Sequence, residues 1–211
     1  MSFDLSVISN KNILLAVTGG IAAYKSAILV RRLKDAGFNV RVVMTEGAQA
    51  FITPLTFQAL SGNPVHTQLL NPEAEAGMGH IELARWADLL LVAPASCDSL
   101  AKFAAGLADD LLSTLYLATK APVWVAPAMN QQMWAAKATQ RNLQTLIEDG
   151  VHVIMPDAGS QACGDVGLGR MPEPEDLARQ VTAYFHQAQR EIAEKFGLLA
   201  GKHVVITAGP T

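Results

Sequence analysis

The chain has 211 residues, of which 50% are hydrophobic, and a formal net charge of -3. That is room for one substantial core, and the weak acidic balance without a Lys or Arg block excludes an electrostatic footprint for nucleic acid. No apolar run nears the roughly 20 residues of a bilayer span, and Met1 to Asn10 carries neither a basic n-region nor a long apolar h-region. Cys97 and Cys163 form no C-x-x-C pair, so neither a disulfide framework nor a metal site is expected. These features read as a reduced, cytoplasmic protein.

Along the chain, short β-branched runs alternate with longer helical patterns. Strands are expected at Asn12 to Thr18, Val40 to Thr45, Leu89 to Ala93, Val123 to Ala126 and His152 to Met155. Helices are expected over Ala22 to Ala36, Glu46 to Leu60 (broken), Ile81 to Ala87, Ser99 to Thr119, Gln131 to Asp149, and Glu175 to about Phe196. Gly37 and Gly150 stand where left-handed C′ residues belong. The alternation predicts an α/β protein: a doubly wound, Rossmann-like (flavodoxin-like) parallel sheet with helices on both faces. Its functional loops belong at the carboxyl ends of the strands.

The first such loop, Thr18-Gly19-Gly20-Ile21-Ala22, runs directly into a helix, which makes an anion site; a tight turn without a ligand is the other reading. It is not G-x-G-x-x-G, and the second strand ends in Met44-Thr45 rather than an acidic residue, so a mononucleotide phosphate fits better than a dinucleotide. Ser96 and Ser99, in Ala93-Pro94-Ala95-Ser96-Cys97-Asp98-Ser99, offer hydroxyls to a phosphate, while Asp98 and Ser99 also suit a helix cap. Asn130, in Pro127-Ala128-Met129-Asn130-Gln131-Gln132-Met133-Trp134, offers an uncharged amide to a carboxylate or an ordinary N-cap. His80 enters a helix after a glycine-rich stretch, well placed to move a proton, although a lone His is more often structural. The run Ala158 to Met171 holds four glycines around Cys163 and reads as a mobile lid carrying an exposed thiol.

The Thr-Gly-Gly-Ile-Ala-Ala-Tyr-Lys turn, Gly79-His80-Ile81-Glu82-Leu83, Pro-Ala-Met-Asn-Gln-Gln-Met-Trp and Ala162-Cys163-Gly164-Asp165 together resemble the homo-oligomeric flavin-containing cysteine decarboxylases, over roughly residues 10 to 190. The resemblance implies FMN held by Gly19, Gly20, Ile21, Thr45, Ser96, Ser99 and Ala128. It implies His80 as the active-site histidine, Asn130 as the residue that grips the substrate, and Cys163 as the thiol needed late in the cycle. It sets Met133, Ser160, Gln161 and Ala162 beside Asn130 against the substrate, expected to be 4′-phosphopantothenoyl-cysteine. The chain departs from the family at Cys97 and Asp98, which leaves Asp98 without an assigned role. The implied reaction oxidises the cysteinyl thiol to a thioaldehyde at the expense of FMN, loses CO₂ to an enethiolate, and reduces that to 4′-phosphopantetheine with a proton from Cys163.

Assembly implied by the resemblance is a homotrimer, building dodecamers in fused bacterial forms. The tail His203 to Thr211 resembles the opening of a ligase domain. The expected organisation is therefore a decarboxylase domain over 1–190, then a linker and first ligase strand over 191–211; an edge strand of the same sheet is the alternative. Rival readings are a peptidyl-cysteine decarboxylase, a non-catalytic flavin-binding regulator and a dinucleotide module. Flavin absorbance and substrate assays separate them.

Overall fold

The computed structural model describes residues 11–69 and 79–196; the expected strand at His203 to Thr207 lies outside them. Strands β1 (Asn12–Val17), β2 (Asn39–Met44), β3 (Val65–His66), β4 (Leu89–Ala95), β5 (Val123–Pro127) and β6 (His152–Val153) form one sheet in the order β3-β2-β1-β4-β5-β6. Every pairing in it is parallel. Helices α1 (Ala23–Asp35), α2 (Glu46–Gln49), α3 (Pro54–Ser61), α4 (His80–Trp86), α5 (Cys97–Ala104), α6 (Leu111–Ala118), α7 (Gln131–Ala135), α8 (Lys137–Glu148) and α9 (Pro174–Phe196) follow in the connections and at the end. A separate antiparallel hairpin pairs β7 (Asp157–Ser160) with β8 (Val166–Arg170).

Alternation along the central strands shows why the sheet must be covered twice. Ile13, Leu15 and Val17 join one buried cluster with Leu89, Leu91 and Ala93. Leu14 and Ala16 join the other with Leu90 and Val92. Successive side chains point to opposite faces, and each buried Leu is worth about 1.5–3 kcal/mol. α1 seals the first face through Ala23, Ser26, Leu29, Val30 and Leu33, which recur at helical spacing on one side, and ends before Gly37 at φ 92°.

Two expected long helices are each two helices. Ser99 to Thr119 breaks at Gly106, whose φ is 65°, and α6 restarts on Asp110, whose Oδ1 accepts from the Ser113 N–H at 2.7 Å while the Ser113 hydroxyl accepts from the Asp110 N–H at 3.1 Å. Gln131 to Asp149 breaks at Ala136, extended at ψ 133°, so periodicity alone ran through both caps. Burial opposes ionisation of Asp110, but hydrogen bonds from Ser113 and from Lys102 at 2.9 Å outweigh it and hold the carboxyl below its usual range. That stabilisation is present above the ordinary carboxylate pKa and is lost as pH falls through the lowered one. Asp110→Ala is expected to cost about 1 kcal/mol near neutrality, with the deficit shrinking in acid; urea melts across pH 2–7 measure it.

Candidate active site

β1 and β4 are neighbours whose connections leave in opposite directions, and the crevice at such a switch point is the natural ligand position. The buried Thr18 hydroxyl ties the two strand ends together, donating to the Pro94 carbonyl at 2.8 Å and accepting from the Ser96 N–H at 2.8 Å. Beside it the turn closes on α2 so tightly that a Cβ on Gly19 would lie 3.0 Å from the Gly47 carbonyl carbon. A side chain there would force the two loops apart. Gly20 has open space above it and Ile21 is 64% exposed, so this turn faces outward into the crevice.

A cavity of about 490 Å³ opens at this point, within the roughly 300–1,000 Å³ of small-molecule sites. Gly19, Gly20 and Ile21 line one wall, Ser96 and Ala128 the floor between β4 and β5, and Asn130 and Met133 a second wall. Ser160, Gln161, Ala162 and Cys163 bring the hairpin over it. Lys25 and Arg170 also line it, both paired with Glu173, at 2.7 and 3.9 Å. Lys25 is buried, its ammonium donating to the Met171 carbonyl at 2.9 Å and to Glu173 at 2.7 Å, so it anchors the segment after β8 to α1.

Three assigned residues do not line this cavity. Thr45 caps α2 by accepting from the Ala48 N–H at 3.3 Å. Ser99 is buried, its N–H donating to the Ser96 hydroxyl at 3.2 Å and its own hydroxyl 3.1 Å from it. The cap of α5 is therefore Ser96, not Asp98 or Ser99. His80 opens α4, and its buried Nδ1 has no hydrogen-bond partner among the described residues.

The expected lid around Cys163 is the turn of the β7–β8 hairpin, and Gln161 fastens it to the loop after β5. Gln161 Oε1 accepts from the Gln131 N–H at 3.0 Å, while its Nε2 donates to the Met129 and Leu168 carbonyls at 3.2 and 3.3 Å. Asn130 is the N-cap of α7, its Oδ1 accepting from the Gln132 N–H at 2.8 Å. Its other end does more. Nδ2 donates to Asp165 Oδ2 at 2.8 Å and lies 3.4 Å from the Cys163 sulfur. Asp165 was the missed member of this group: it stands in the Ala-Cys-Gly-Asp segment, but only the hairpin turn brings it back to Asn130.

A doubly wound sheet with an apolar, cation-bearing cleft at its switch point defines a nucleotide- or flavin-type binding domain. The flavoprotein family model matches residues 4–186, and the chain belongs to this family. It is 58% identical over 204 residues to a coenzyme A biosynthesis bifunctional protein CoaBC of Vibrio cholerae, and 47% identical over 205 residues to that of Bacillus subtilis, covering 97% of this chain and 49% of each relative. The chain thus spans about half the length of these curated relatives. Among solved structures, a PPC decarboxylase carrying a cysteine-to-serine substitution and complexed with pantothenoylaminoethenethiol matches with TM-score 0.74 and 34% identity, over 84% of this chain and 99% of that one. The FMN binding protein AtHal3 matches with TM-score 0.72 and 35% identity, over 84% and 97%.

Proposed function

We propose that this chain is an FMN-dependent decarboxylase acting on 4′-phosphopantothenoyl-cysteine in coenzyme A biosynthesis. The observation that carries it is the convergence of an amide and a thiol, Asn130 and Cys163, at an apolar cavity bearing cations. The names of the similar proteins support the same reading. The cavity fits FMN: Gly19, Gly20, Ile21, Ser96 and Ala128 would hold it, with Thr45 and Ser99 fixing the turns behind them. Bound FMN supplies the two-electron oxidation of the substrate thiol and its later reversal.

The chain's own residues do the rest. Asn130 orients the substrate carboxylate without adding charge, and Met133 with Ser160 to Ala162 walls off water. Cys163 delivers a proton to the enethiolate carbon after CO₂ has left. His80 serves proton transfer earlier, and because it does not line its own cavity it would act across a subunit boundary, which suits a homotrimer. Assembly to a dodecamer, a covalently joined ligase domain and a cytoplasmic setting belong to the same proposal. Among the described residues no helix is long and apolar enough to cross a membrane.

Purified protein is expected to show flavin absorbance and to release CO₂ from 4′-phosphopantothenoyl-cysteine far faster than from a cysteine-ending peptide. Colourless protein, or preference for the peptide, would overturn the assignment.

A further inference from the structure

We infer that Asp165 is a positioning residue that trades places with the substrate carboxylate on Asn130, and that its return brings Cys163 into action. Asn130 has no amide hydrogen to spare: Oδ1 is committed to the Gln132 N–H, and the two Nδ2 hydrogens go to Asp165 Oδ2 at 2.8 Å and to the Cys163 sulfur at 3.4 Å. A substrate carboxylate oriented by Asn130 needs that same Nδ2. Two carboxylates at one neutral amide repel each other, so substrate binding displaces Asp165. Asp165 also accepts from the Cys163 thiol at 3.6 Å and shares the turn, where Gln161 N–H donates to the Asp165 carbonyl at 2.7 Å. Moving Asp165 off Asn130 therefore carries the sulfur with it.

The exchange reverses by itself. Once the carboxylate has left as CO₂, Nδ2 is free, Asp165 returns, and Cys163 comes back to 3.4 Å from Nδ2, beside the carbon that needs a proton. The S–H bond then breaks, a C–H bond forms, and sulfur is left as thiolate; the electron pair that completes the reduction comes from the reduced FMN of the proposed reaction. The order of events follows from occupancy of one amide group: the thiol is withdrawn while the carboxylate is present and delivered after it leaves.

This inference rests on the decarboxylase reading, and its test has an arm that does not depend on turnover. In full-chain protein with FMN, calorimetry with 4′-phosphopantothenoyl-serine, whose hydroxyl replaces the reactive thiol, reads carboxylate binding alone. Asp165→Ala is expected to bind it about three- to tenfold more tightly than wild type, with binding of 4′-phosphopantetheine unchanged. During turnover, the fraction of released product that is enethiol rather than thiol should rise at least about tenfold. Asp165→Asn, which keeps the shape without the charge, changes both in the same direction and stands in should the alanine variant not fold. Unchanged or weaker binding of the serine compound, or an unchanged enethiol fraction, overturns the inference. Wild-type protein that releases no CO₂ overturns the decarboxylase reading instead, while the calorimetry still reports on Asp165.

Discussion

Cys163→Ser is expected to release CO₂ within a few-fold of the wild-type rate, yet to form saturated product roughly 100-fold more slowly or worse. The position is exposed at the tip of a hairpin turn, and the turn is closed by backbone bonds, Gly164 N–H to the Gln161 carbonyl at 2.9 Å among them, so the fold has little stake in the thiol. A serine hydroxyl is a far weaker acid than a thiol. The missing step is therefore the last one, and the enethiol, two hydrogens lighter than the product, should accumulate in the mass spectrum. Normal product formation by this variant would remove Cys163 from the mechanism.

Asn130→Asp should fail earlier. Aspartate is as good an N-cap as asparagine, so α7 keeps its Gln132 N–H partner. The change removes the amide donor proposed to hold the substrate carboxylate and sets a second anion where Asp165 now sits 2.8 Å away. CO₂ release is expected to fall roughly 100-fold or more. Near-normal CO₂ release from a folded, flavin-loaded Asn130→Asp would show that the carboxylate is held elsewhere.

The sequence made the sheet legible because burial on both faces writes a continuous apolar run, as in Leu89 to Val92, and because Gly37 and Gly150 marked the ends of α1 and α8. It hid β3, whose two residues are too few to set a period. It also hid the interruption at Gly106, after which the Asp110–Ser113 capping box restarts the helix, and the one at Ala136, which turns extended at ψ 133°. At the site, turn residues at strand ends were readable from composition. The partnership of Asn130 with Asp165, 35 residues apart, was not, since nothing local announces which side chain a hairpin will return to which loop.

Glycine content was the most misleading signal. Between Ala158 and Met171 it reads as freedom, but a Cβ on Gly169 would fall 2.2 Å from the Met129 carbonyl oxygen and one on Gly167 would fall 2.7 Å from the Gln131 side-chain oxygen. Gly169 is there because two backbones run nearly in contact, and Gly167 leaves room for the Gln131 side chain.

That close seam has a consequence for how the scaffold can diversify. The Pro127–Met133 segment and the β7–β8 hairpin are cut to one another's outline, and both contribute to the surface a substrate would meet. A drift in one half alone spoils the joint before it alters selectivity, so new substrates can be reached only by paired changes, inherited together, on segments that lie about 30 residues apart in the chain.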